Sequence, residues 1–109
     1  MGLKRGSVVT VAVQGDFGKA RPALVVQSDL FSEHPSVTIL LMTSTIVDAP
    51  LIRIGVEPSE QNGLHVPSQI EIDKMFTMRR EKIGAVIGEL EDDKMLAVNR
   101  AMLVFLGLA

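Results

Sequence analysis

After residue 90 the spacing of apolar residues along this chain changes period, and that change limits the available folds more than any other feature. Up to Leu90 the apolar residues form short β-branched runs or alternate with polar ones; beyond it they recur every three or four positions. Ser7 to Val13 (S-V-V-T-V-A-V) reads as a half-buried strand. Ala23 to Val26, introduced by Arg21-Pro22, and Val37 to Met42 are continuous apolar stretches suited to burial on both faces. Pro22 costs little so early in its strand, where no ladder donor is yet needed. Leu51 to Val56 alternates, as does Ser68 to Met75, and Lys82 to Leu90 supplies a sixth strand. Gln14 to Ala20, Gln27 to Ser36 and Glu57 to Pro67, the last containing the turn pair Asn62-Gly63, read as connections.

From Glu91 or Asp92 onward, Met95, Val98, Met102 and Phe105 form one helical stripe. Asp92 and Asp93 complement the helix dipole at its start, and Gly107 marks its stop. Leu96, Leu103, Val104 and Leu106 carry the apolar surface onto a second face, which predicts contact with a partner subunit. The reading is a mainly β, barrel-like sheet of six strands with one C-terminal helix, forming one domain over residues 1–109.

Composition removes several kinds of function. With no cysteine, there is no disulfide framework, no thiol nucleophile and no cysteine-based metal site. Four Phe and no Trp or Tyr leave little for stacking on bases, so any grip on nucleic acid rests on backbone and charge contacts. Eleven Lys and Arg against 13 Asp and Glu provide no wholesale basic face. No apolar stretch approaches the roughly 18 to 20 residues that cross a bilayer, and the N-terminus lacks a secretion signal, so a soluble cytoplasmic protein is expected.

His34 and His65 are the first candidates for acid–base chemistry, yet both fall in polar, breaker-rich loops and read as solvated. Neither stands at metal-ligand spacing, and no metal or cofactor is expected. Gly15 to Lys19 lacks the spacing of a nucleotide-binding loop, although it places Lys19 near Arg21. The sharper constellation is Arg21, opening one buried strand, with Thr43 and Ser44 closing another. A guanidinium and two hydroxyls form an oxyanion-binding set. The competing reading pairs Arg21 with Asp16 or Asp29 and leaves Thr43-Ser44 to end a strand. Glu71 and Asp73 alternate with Ile70 and Ile72 and read as a solvated strand face, and Lys74, Arg79, Arg80 and Lys82 as a solvated basic turn.

The string G-S-V-V-T-V (6 to 11), then R-P-A-L-V-V-Q-S-D (21 to 29), V-T-I-L-L-M-T-S (37 to 44), S-Q-I-E-I-D-K (68 to 74) and K-I-G-A-V-I-G-E-L (82 to 90) resembles the MazF/PemK toxins of bacterial type II toxin–antitoxin modules. The resemblance implies the CcdB/MazF-like fold, a small SH3-like barrel with a C-terminal helix, working as a homodimer. It also implies sequence-specific, metal-independent cleavage of single-stranded RNA, chiefly mRNA, leaving a cyclic phosphate and a 5′ hydroxyl. Translation then stops until a cognate antitoxin binds. On this resemblance Arg21 and Thr43 are the catalytic pair, and Ser44 and Asp73 are substrate contacts; Lys19, beside Arg21, and Lys74, in the basic cluster, are expected by their charge to contact backbone phosphate.

Two departures stand out. Glu71 occupies a position where some members carry arginine, and the loop before Arg21 lacks their histidine. The recognised RNA sequence therefore does not carry over. The same fold also carries CcdB-like poisons of DNA gyrase, which cut nothing. V-V-Q-S-D-L (25 to 30), V-I-G-E-L (86 to 90) and the ending F-L-G-L-A lean that way, without the tail's tryptophan. In that alternative Leu103 to Leu108 is the working surface and Arg21 is structural.

Overall fold

The computed structural model describes residues 2–13 and 19–109. Most of the connection expected over Gln14 to Ala20, including Asp16, lies outside the described residues. Six strands, β1 (Ser7–Ala12), β2 (Ala20–Val25), β3 (Ser36–Thr43), β4 (Arg53–Val56), β5 (Ser68–Arg79) and β6 (Ile83–Glu89), precede one helix, α1 (Asp92–Phe105). All strand pairings are antiparallel, in the order β4-β5-β3-β2-β1-β6. The edges of this curled sheet approach one another through the β4–β5 connection, where the Glu89 amide donates to the Gln61 carbonyl at 2.8 Å. This is the mainly β barrel with a C-terminal helix that the periodicity predicts.

The apolar runs within β2 (Ala23–Val25) and β3 (Ile39–Met42) are covered on both faces. Leu24, Leu40 and Met42 join Val8, Ile70, Ile72, Leu90 and Val98 in one core, on which α1 packs. Ala23, Val25, Val37, Ile39 and Leu41 join Val9 and Val11 in a second core on the opposite face. Within α1, Val98 is fully buried and Met95, Ala101 and Met102 pack beside it. Phe105 departs from the expected stripe: it is about half exposed, with Leu103, Val104, Leu106 and Leu108. The helix ends at Gly107 with φ +74°; the Gly107 amide donates to Val104 O and the Leu108 amide to Leu103 O. These are the paired bonds of a left-handed helix stop, which glycine adopts without a Cβ penalty.

β5 is longer than the alternation predicts and is interrupted. Its pairing with β3 jumps from Leu40↔Met75 to Met42↔Ile70, so residues 71–74 bulge away from β3 while Glu71 pairs with Arg53 on β4. The bulge resets the alternation, letting Ile70, Ile72 and then Met75 face the same core. Lys74, which strict alternation would place with the isoleucines, is exposed instead.

The β4–β5 connection is anchored at Asn62, which is wholly buried. Its Oδ1 accepts from the Ser59 and Leu64 amides, and its Nδ2 donates to Glu57 O and to the Glu91 carboxylate. Gly63, at φ +72°, lies so close to β6 that a Cβ there would meet Ile87 O at 2.0 Å. Glu91 precedes α1 and accepts from Ser59 Oγ at 2.5 Å. That bond holds the Glu91 carboxyl below its ordinary 4.5 against the opposing effect of burial, with the Asn62 contact helping. A carboxyl whose pKa falls on folding stabilises the native state above its unfolded value, and the contribution disappears as pH drops through the lowered folded value. Glu91→Gln is expected to cost about 1–2 kcal/mol at pH 7. Urea denaturation at pH 7 and pH 3 checks this: the gap between variant and wild type should narrow at the lower pH.

Candidate functional site

A cavity of about 400 Å³ opens where the start of β2, the end of β3 and the end of the β4–β5 connection converge. Arg21 and Pro22 line it from β2, Thr43 and Ser44 from the end of β3, His65 and Val66 from the connection, and Ile87 from β6. Arg21, Thr43 and Ser44, singled out by residue type from two separate strands, are thus brought to one place. Of the other expected contacts, Lys19 is exposed immediately before β2, and Asp73 and Lys74 lie on the β5 bulge. None of those three lines the cavity.

The arginine–proline pair has a local reason to stand here. β2 pairs with β3 from Ala23↔Leu41 onward, and extending that register sets Pro22 opposite Met42. Proline has no N–H to give, and the Met42 carbonyl accepts from Arg21 Nη2 instead, at 2.9 Å. The same nitrogen donates to Glu71 Oε1 at 2.7 Å. Arg21 does pair with a carboxylate, but with Glu71 rather than Asp29, which accepts the Arg5 amide.

Glu71 corrects the solvated-face expectation. It does lie opposite Ile70 and Ile72, yet it is only 8% exposed because arginines cover it. Arg53, from β4, lies 3.6 Å from Glu71 Oε2 and donates through Nη1 to Asp73 Oδ1 at 2.5 Å. Arg21, Glu71, Arg53 and Asp73 therefore form a chain of alternating charge, with Glu71 shared between two guanidinia. The Arg53 side chain is 14% exposed, and its buried Nε has no hydrogen-bond partner. In sequence Arg53 was simply one polar position of an alternating strand; the register Arg53↔Glu71 makes it part of the site. Where Glu71 removes a cation by comparison with some members of the resembled family, Arg53 brings one to the same neighbourhood.

Thr43 Oγ1 accepts the Thr45 amide at 3.1 Å, the strand-ending bond expected of a hydroxyl there, and it lines the cavity as well. His34 lies elsewhere: its Nδ1 accepts from the Ser36 amide, and its carbonyl accepts two bonds from Arg80. The basic turn is as exposed as expected, apart from Arg80, which is half-buried. His65, read from sequence as a solvated loop residue, is exposed but belongs to the cavity. Among the described residues no three His, Cys, Asp or Glu side chains form a group able to hold a metal, and no helix is long and apolar enough to cross a membrane.

Comparison with known proteins places the chain in a family. Residues 4–106 match the model of the PemK-like, MazF-like toxins of type II toxin–antitoxin systems. The chain is 41% identical over 108 residues to a probable endoribonuclease MazF of Mycolicibacterium smegmatis, covering 98% of this chain and 99% of that protein. It is 26% identical over 111 residues to endoribonuclease EndoA of Bacillus subtilis, covering 97% and 96% of the two chains. Its fold superposes with a TM-score of 0.82, at 25% identity and over 98% of this chain and 97% of the other, on a mycobacterial endoribonuclease solved with its cognate antitoxin. By the span of the family match and the identity to its curated relative, the chain belongs to the PemK/MazF family of type II toxins.

Proposed function

We propose that this protein is a metal-independent, sequence-specific endoribonuclease of single-stranded RNA that stops translation in the cytoplasm. The observation that carries the reading is the convergence of Arg21, Thr43 and Ser44 on one cavity, in a chain 41% identical to a probable endoribonuclease. The 2′ hydroxyl attacks the adjacent phosphorus, the bond to the 5′ oxygen breaks, and the products are a 2′,3′-cyclic phosphate and a 5′ hydroxyl. Arg21 stabilises charge building on the equatorial oxygens, and Thr43 orients the phosphate. Lys19, Ser44, Asp73 and Lys74 contact the flanking RNA. Metal independence is supported by the acids themselves: Glu71 and Asp73 are taken up by guanidinia, in positions that orient cations.

The exposed apolar residues of α1 and the tail, Leu103 to Leu108, are assigned to a homodimer and its antitoxin. The family membership supports such partners and does not favour the gyrase alternative. The test is to incubate the protein with a long, end-labelled RNA in excess EDTA, beside a mock-purified fraction. Discrete fragments ending in cyclic phosphate, absent from the mock lane, are expected. Intact RNA, or cleavage only when a divalent ion is restored, overturns the reading.

A further inference from the structure

We propose that His65 is the general acid of the cleavage, the group that protonates the departing 5′ oxygen; this rests on the ribonuclease reading of the same cavity. Among the described residues lining that cavity, Arg21 and His65 are the ionisable ones. A guanidinium, with a pKa above about 12, surrenders a proton only at high cost. Imidazole is the side chain best matched to donate and recover one near neutrality. The described carboxylates that pair with or adjoin Arg21 are committed elsewhere: Glu71 to Arg21 and Arg53, and Asp73 to Arg53.

His65 is also presented as a reacting group needs to be. Leu64 before it is buried in the core beneath α1, Gly63 is pressed against the Ile87 carbonyl, and Asn62 is bonded on every side. The loop is thus pinned at three successive residues, which fixes where its next side chain stands. The imidazole itself is exposed and has no hydrogen-bond partner among the described residues. It is positioned by its neighbours yet uncommitted to any of them. The only other histidine, His34, spends its Nδ1 on the Ser36 amide, away from the cavity.

The protons balance without a further reactant. The 2′ hydroxyl gives its proton to solvent as the bond from the 2′ oxygen to phosphorus forms. The imidazolium gives its proton to the 5′ oxygen as the bond from phosphorus breaks, and neutral His65 regains a proton from water after the product leaves.

The experiment first maps a wild-type cut site. An oligonucleotide spanning it is then made in two forms, one natural and one with sulfur replacing the 5′ bridging oxygen, because a thiolate leaves without being protonated. His65→Ala is expected to cut the natural form about 100-fold more slowly and the sulfur form no more than about fivefold more slowly. A version lacking the 2′ hydroxyl at the cut site, which cannot react, should bind variant and wild type alike. Equal slowing on both reactive substrates, or weaker binding that accounts for the loss, overturns the assignment, as does no slowing on either. In the last case wild type and variant both cut, and the ribonuclease reading survives. If wild type itself cuts nothing, both fall.

Discussion

Arg21→Ala should lower the rate of RNA cleavage by about 10³-fold or more while leaving a folded protein, because its guanidinium is a permanent cation on the cavity wall. On the proposed mechanism, the negative charge that grows on the phosphoryl oxygens during in-line attack is met by a group already in place. Glu71 and the Met42 carbonyl hold the Arg21 nitrogen from two directions. Little reorganisation is left for the moment of reaction. Alanine removes both the charge and that preorganisation. Glu71 keeps its second partner, Arg53, so the buried acid is not stranded and the fold survives. Single-turnover cleavage of a mapped oligonucleotide measures the loss, and circular dichroism checks the fold.

Arg21→Lys refines the same argument. An ammonium keeps the charge but loses the planar fork that reaches Glu71, Met42 and a phosphate together. Its rate should fall between wild type and alanine, about 10²-fold down. If Arg21→Ala cuts RNA within about tenfold of wild type, the transition-state role is wrong, since removing even one such donor costs about 10²-fold.

Much of this was legible in the chain because its hydrophobic pattern changes period once. The doubly apolar runs at 23 to 26 and 37 to 42 correspond to β2 and β3, covered by a core on each face. The acids and the glycine around residues 92–107 bound the helix. Arg21 with Thr43 stood out because a charged residue opening an apolar strand requires a partner.

What was not legible depends on tertiary geometry. Period-two alternation says which face Glu71 occupies but not what covers that face; the cover comes from β2 and β4, 50 and 18 positions away in sequence. The β5 bulge has no signature in Ser68 to Met75, where no glycine or proline marks it. His65 gave no signal because loop composition predicts exposure, which is correct, and says nothing of which cavity the loop closes. Phe105 fits the helical spacing, but the core beneath α1 ends near Met102.

Glu71→Ala should be strongly destabilising, costing about 3 kcal/mol. Glu71 is the acid between two guanidinia, and Arg53 already carries a buried Nε with no partner. Without the carboxylate, Arg53 keeps only Asp73, and a mostly buried cation loses a compensating charge. Removing one member of a buried charge cluster costs more than the contact itself contributes, because the remaining cation stays desolvated with less charge to balance it. The apolar core is untouched, so the loss appears as a lower midpoint of urea denaturation with little change in slope. The matching control is Glu71→Ala with Arg53→Leu, which removes the under-balanced cation along with its acid. This double variant should recover a substantial part of the lost stability, and a double-mutant cycle should return a coupling of about 1–3 kcal/mol. Simple additivity would mean that the two side chains do not depend on each other, and the charge chain would then be a geometric coincidence. Activity separates the roles further. The double variant, though more stable than Glu71→Ala, still lacks the carboxylate that orients Arg21, and it should cut RNA more slowly than wild type by about tenfold or more.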